Sequence, residues 1–455
     1  MELGILTLLP PLVIIAVALK TKNTTSSLFI GAILGCILQF RTKFLAGFID
    51  MMYAIGTNED TIWYVMFVAL FGCILGIWSR TGATSELAKK LGKYATNRKR
   101  TLLLTWIIGA LVFIDDFTSI AVRGTMTKLY DKNKTPRAML SYITDATASP
   151  LNTLIVFGTW GIYYQSVFSG YEEVNALGNS MSVYLRTIPW QFYSWVAIVI
   201  ALFVSIGLVK PAGKMKSIFK HAEETGELYS EASGILNTET ANTQETNKGL
   251  SNKLIAGFVI PLIAFIAIIV INGDVITASL VTLALMITMF LVLRVSSWKE
   301  LMDACIAGVG DMLGMIVVVF AAYMVRDSLN AIGLPEYVIS VAKPFMSPPL
   351  LPSITFIVVS ILTFTTGSNW GVSLPVAAIV IPLCAAINAN MYLVLAAIVS
   401  GAAFGAHACF YCDVTVFTSG MTKIDNMEHA LSQLPYCLAG LVISAVMFLV
   451  SGFII

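Results

Sequence analysis

Two neighbouring carboxylates, Asp115 and Asp116, end a run of fourteen residues without a charge, Thr101 to Ile114 (TLLLTWIIGALVFI). An ionisable group at membrane depth is costly, so it marks an ion or proton path unless it has reached water beyond a helix end. Thr118 and Ser119 follow at once with two hydroxyls. A third acid, Asp145, lies in LSYITDATASPLNTLIVFGTWG, ahead of Thr147, Ser149 and Pro150. Proline removes a backbone donor and clashes with the preceding turn, so this helix is expected to be interrupted. The freed carbonyls are tolerated at membrane depth only where they line protein or a cavity. Carbonyls, hydroxyls and a carboxylate together suit a hard cation or a proton.

The corresponding stretch late in the chain, IVSGAAFGAHACFYCDVT, has His407 and Asp413 as its ionisable groups, with Gly401 and Gly405 expected to loosen the helix. Histidine has the ordinary pKa nearest neutrality, so His407 either relays protons or packs as a neutral ring. Ser368 and Asn369 supply neutral oxygens. Arg123 is placed to neutralise Asp115 or Asp116. Cys409 and Cys412 beside His407 fall short of a closed tetrahedral metal set. The seven cysteines read as small core residues rather than a disulfide framework. Neither a resident metal nor a cofactor is expected.

The elements that carry these residues are membrane helices. Of 455 residues, 57% are hydrophobic and 12% charged, and the mean hydropathy is +0.83. A soluble chain would carry about 25% charged residues. A net charge of +2 gives no reason to expect a nucleic-acid partner. Residues 1–20 lack a basic n-region and a small-residue cleavage site, and read as a retained first span. Runs near 4–20, 26–40, 62–80, 138–165, 187–209, 253–271, 275–293, 312–330, 389–420 and 433–455 approach the length of about 20 residues that a crossing needs. The stretches 101–128 and 348–387 differ. Fourteen residues of helix cover roughly 21 Å, less than the hydrocarbon core. Basic clusters flank 101–128 on both sides, so a single crossing would break the positive-inside rule, and a re-entrant hairpin with the acids at its tip is expected. On that topology only Arg41, Lys43, Arg186, Arg326 and Lys343 of the 28 Lys and Arg fall toward the outside.

Five crossings and one hairpin then fall in residues 1–209, and five and one in 253–455, which forces the halves into opposite orientations. At an offset of 251, Pro10 meets Pro261, Gly82 meets Gly333 and Phe113 meets Phe364. The expectation is an all-α polytopic membrane protein built of two inverted repeats. Each has five transmembrane helices, a re-entrant hairpin (about 101–128 and 348–387) and a broken helix (about 138–165 and 389–420). Such repeats place substrate near the midplane. Residues 210–252 are polar and rich in glutamate, and read as a cytoplasmic linker.

At these residues the chain resembles the NhaC-type sodium/proton antiporter family, within a wider ion-transporter superfamily. The resemblance rests on Asp115-Asp116, Thr125-Met126, Asp131, Asp145-Ala146-Thr147-Ala148-Ser149-Pro150, Thr159-Trp160 and Gly367-Ser368-Asn369-Trp370-Gly371. The chain departs from the family pattern in its second half. Gly405-Ala406-His407, Cys409-Phe410 and Cys412-Asp413-Val414 stand where an acid and a proline are common. The resemblance implies secondary transport, with cation/proton binding at Asp115, Asp116, Asp145, Thr118, Ser119, Thr147 and Ser149. A second-repeat substrate site would comprise Ser368, Asn369, His407 and Asp413.

A carboxylate that holds either a proton or a sodium ion, never both, gives obligatory exchange; coupled transport of an amino acid or a carboxylate such as malate or lactate is the alternative. A broken-helix, hydroxyl-rich chain of this kind argues against an intramembrane aspartyl protease, and its few asymmetric acids argue against a channel. The expected partners are the bilayer and a small ion or organic solute, with homodimerisation open and no nucleic acid. The expected location is the plasma membrane, specifically a bacterial inner membrane.

Overall fold

The computed structural model describes residues 3–21, 23–91, 93–111, 116–156, 159–234, 236, 248–272, 274–367 and 369–455, and these are helical with no strand among them. In apolar surroundings only a helix satisfies every backbone group within one segment. Several starts are set by polar caps, where the first four amides lack a helical partner.

The first half contains α1 (Leu9–Thr21), α2 (Thr24–Phe40), α3 (Phe44–Gly56), α4 (Glu59–Arg80) and α5 (Ala83–Leu91). Asn23 caps α2 through the amide of Ser26. Then come short pieces: α6 (Arg98–Leu111), α7 (Asp116–Gly124), α8 (Thr127–Lys132), α9 (Arg137–Ala146), α10 (Ser149–Asn152), α11 (Thr159–Ser169), α12 (Glu172–Asn175) and α13 (Ser180–Thr187). The half closes with α14 (Phe192–Ile206), bent by 49° from the helical segment before it. Two helices, α15 (Gly213–Thr225) and α16 (Glu231–Gly234), lie in the polar stretch between the halves.

The second half opens with α17 (Lys248–Asn272), α18 (Val275–Val292), α19 (Trp298–Ala331) and α20 (Leu334–Ala342). It ends with α21 (Leu351–Thr366), α22 (Asn369–Ala386), α23 (Met391–Ala408), α24 (Asp413–Thr422) and α25 (Asn426–Ile454). Among the described residues seven helices are long and apolar enough to cross a membrane, or eight if the bent pair counts as one span. The chain is therefore an all-α, multi-pass membrane protein with bent and interrupted helices.

Two boundaries differ from expectation for a capping reason. α19 begins at Trp298 rather than near 312, because Ser297 and Glu300 form a reciprocal capping box. α25 begins at Asn426 rather than near 433, because the Asp425 carboxylate accepts from the amides of Met427 and Glu428. The glycines of α23 also act otherwise than expected. The helix runs unbroken through Ala408, and a Cβ at Gly401 or Gly405 would collide with α21. They permit close packing rather than loosening; the interruption comes later, at 409–412.

The halves interleave. α4 packs on α18 and α19, and α19 also packs on α2. Glycines bring α4 and α19 together: a Cβ on Gly308 would lie 2.1 Å from the Gly72 carbonyl oxygen, and one on Gly76 would lie 2.2 Å from that of Ala304. Gly308→Val is expected to destabilise the protein by about 1–3 kcal/mol through overpacking. Gly310→Ala, on the same helix but facing open space, should be neutral. Thermal unfolding of the two variants in detergent checks the contrast. Elsewhere α7 and α9 pack against α24, and α14 packs against α23 and α25. The buried polar residues gather at these contacts.

Candidate functional site

Asp116 is the first residue of α7, where the positive end of the helix dipole favours a carboxylate. It is 4% exposed and takes three hydrogen bonds from the interrupted stretch that follows α9. The Ser149 hydroxyl donates to Oδ2 at 2.7 Å, the Trp160 indole N–H to Oδ2 at 2.8 Å, and the Asn152 amide to Oδ1 at 3.0 Å. These donors reach it because the chain breaks between α9 and α10 and restarts with Pro150 in the first turn of α10, a position without need of an amide proton. No Lys or Arg forms an ion pair with Asp116 among the described residues. Asp413, which opens α24, lies within electrostatic reach of it.

Arg123, on the same short helix, does not pair with Asp116. Its guanidinium is fully buried; Nε donates to the Ser119 carbonyl at 3.0 Å and Nη2 to the Ser119 hydroxyl at 2.7 Å. Nη1 donates to Thr147 Oγ1. Ser119 and Thr147, expected as cation ligands, are thus engaged by a cation of the protein. Gly109 makes the room, since a Cβ there would sit 2.3 Å from Arg123 Nη1.

Asp145 lies apart from the Asp116 donors. It is fully buried near the end of α9, and its Oδ2 meets His429 Nε2 at 3.0 Å and Gln433 Nε2 at 3.0 Å, both on α25. The other Gln433 amide proton goes to the His407 carbonyl at 2.6 Å, and His407 Nδ1 meets the Tyr193 hydroxyl at 2.9 Å. The two groups of expected residues therefore cross over. His407 of the second half sits with Asp145, and Asp413 lies within electrostatic reach of Asp116.

Asn369 is buried at the start of α22; its carbonyl accepts from the Ser373 hydroxyl, which meets Tyr164 at 2.8 Å. Asp115 and Ser368 lie outside the described residues, as does the side chain of Thr118. Sequence reasoning missed Asn152, His429, Gln433 and Tyr193. For His429 and Gln433 a signal existed: a histidine and an amide one helical turn apart at the head of an apolar run.

Comparison with known proteins points to a class of transporters. A family model described as the Na+/H+ antiporter family matches residues 153–453. An uncharacterized protein of Haemophilus influenzae is 24% identical over 98% of this chain and 90% of its own length. The Malate-2H(+)/Na(+)-lactate antiporter of Bacillus subtilis is 29% identical over 37% of this chain and 36% of its own. The arginine/ornithine antiporter ArcD of Halobacterium salinarum is 22% identical over 34% of this chain and 32% of its own.

Proposed function

This chain belongs to the Na+/H+ antiporter family, a family of secondary transporters and not of enzymes, and from that premise we propose that it exchanges sodium for protons at Asp116. The observation that carries this reading is a buried carboxylate bound by three neutral donors and by no Lys or Arg among the described residues. Three donors leave part of the acceptor capacity of a carboxylate free for a cation. Taking the carboxylate out of water favours either a proton or a cation on it over a bare charge. Mutual exclusion of the two on one group is the elementary condition for exchange. Asp413 adds a second acid within electrostatic reach of the site, and Asp115 and Thr118 complete the reading by their neighbourhood in sequence.

Alternating access follows if the interrupted helices belong to two inverted repeats that rock against each other. The same reading puts the chain in the bacterial inner membrane, as monomer or homodimer, with residues 210–252 in the cytoplasm. A second reading, exchange of a small carboxylate or amino acid, is supported by the names of the Bacillus and Halobacterium relatives. In proteoliposomes, an inward gradient of Na+ or Li+ is expected to drive protons out, and K+ is not. If no cation moves protons while labelled malate, lactate, arginine or ornithine shows counterflow, the second reading replaces the first.

A further inference from the structure

A second buried titratable group remains that the Asp116 site does not use. His429 and Asp145 are both completely buried and joined through Nε2 and Oδ2 at 3.0 Å. Gln433 decides the proton positions. Its amide donates both to Asp145 Oδ2 and to the His407 carbonyl, so Oδ2 already accepts, and with Asp145 ionised His429 donates to it through Nε2–H. The lone pair on His429 Nδ1 and the second oxygen of Asp145, Oδ1, then have no hydrogen-bond partner among the described residues. A buried base with no donor is costly unless something satisfies it. A proton at Nδ1 completes an imidazolium whose charge the adjoining Asp145 carboxylate balances.

The surroundings fit a charge that comes and goes. From the packed helices, Arg123 of α7, His407 of α23, Tyr193 of α14 and Cys437 of α25 face the pair, each within electrostatic reach of Asp145. α10 and α21 contain no titratable side chain, and those of α6 and α15 lie at the surface or half-buried. Asp131 of α8 is paired with Arg137 at 2.7 Å, Asp413 of α24 lies within electrostatic reach of Asp116, and Glu428 is held by the linker hydroxyls of Ser230 and Ser233. Arg123 is a fully buried cation within electrostatic reach of the carboxylate.

We propose that His429 with Asp145 is a proton-carrying site separate from Asp116, and that it takes up and releases a further proton in step with the exchange at Asp116, in addition to the proton that competes with the ion there. The inference rests on the transporter reading given above. A proton added at Nδ1 converts neutral imidazole and carboxylate into an imidazolium–carboxylate pair; its loss restores the starting state, so the cycle is balanced by the proton alone. The pair bridges α9 of the first half and α25 of the second, so the proton alters the attraction between elements that both halves contribute. Arg123 links the two sites, because it lies within electrostatic reach of Asp116 and of Asp145 alike.

The chain has three histidines, so the full-length protein with 15N-labelled imidazoles can be read site by site in liposomes, with His429→Gln assigning the resonance. The spectra show directly whether His429 interconverts between the Nε2–H tautomer and the doubly protonated ring over the pH range in which the protein stays folded, and both forms are expected. Asp145→Asn should move that transition. In 22Na+ proteoliposomes, His429→Gln keeps a donor for Asp145 but no titratable nitrogen. It should reduce pH-gradient-driven sodium movement about 100-fold, as loss of a positioned proton-transfer group does. Sodium/sodium exchange at equal pH needs no net proton and should persist. A single neutral tautomer across the whole range, equal loss of both fluxes, or persistence of both would overturn the proposal. A wild-type protein that moves no sodium defeats the sodium reading instead; the imidazole titration then decides the proton site by itself.

Discussion

Asp116→Asn is expected to abolish sodium-driven proton movement and to lower stability in the same protein. The carboxylate receives three donors, two on Oδ2 and one on Oδ1. Asparagine offers one oxygen. Set toward Ser149 and Trp160, it turns its own amide protons against the Asn152 amide; reversed, it opposes two donors instead of one. A buried donor left without a partner costs about 1–3 kcal/mol, so even the better orientation should lower the unfolding temperature in detergent. The transport effect is larger. A neutral amide neither takes a proton near neutrality nor attracts a cation, and exchange should fall to the background of empty liposomes. The double variant Asp116→Asn with Asn152→Asp separates the two effects. It restores complementary bonding with the charge displaced to α10, so stability should return while transport recovers only in part. Exchange at the wild-type rate in Asp116→Asn would remove this carboxylate from the mechanism.

Composition was enough to read a multi-pass helical protein, and the family was read from a resemblance carried by an ordered set of motifs, among them Asp115-Asp116, Asp145 to Pro150, Thr159-Trp160 and Gly367 to Gly371. What escaped the sequence is how the polar residues are divided. Asp116 and Asp145 are separated by less than thirty positions, and their neighbouring hydroxyls suggest one ligand set. The pairing is decided by which distant helix faces each carboxylate, and no local pattern carries that. Asp145 meets His429 and Gln433 only because α25 starts early enough to bring them to α9, and that start depends on the Asp425 cap. Ser149 and Thr147 differ by two residues yet serve opposite charges, because the chain turns between α9 and α10. Gly401 and Gly405 were legible as special but not in their role. A glycine in a helix can signal bending or close approach, and only the neighbour, here α21, distinguishes the two.

Arg123→Met is expected to be among the most destabilising single substitutions in the chain, and Arg123→Lys should not rescue it. The guanidinium is fully enclosed and spans two places where helices are interrupted, donating to Ser119 of α7 and to Thr147 just past α9. Its planar fork meets acceptors in several directions at once, which a single ammonium at the end of a flexible stem does not reproduce. Methionine fills the volume but leaves those acceptors unpaired. It also removes the buried positive charge that Asp116 and Asp145 both feel. Leaving a buried charge uncompensated costs about 3–5 kcal/mol, a large share of the stability of a typical domain. Gly109→Ala tests the same contact from the other side, because its Cβ would occupy the space of Nη1 and of Thr147 Oγ1. It should reproduce part of the loss without touching any charged atom. Chemical denaturation of the three variants in one detergent gives the order methionine, lysine, then alanine at 109, from least to most stable. If Arg123→Met unfolds within about 0.5 kcal/mol of wild type, the range of ordinary surface substitutions, then Asp116 and Asp145 are not both ionised in the resting protein. One of the two sites must then already hold its proton.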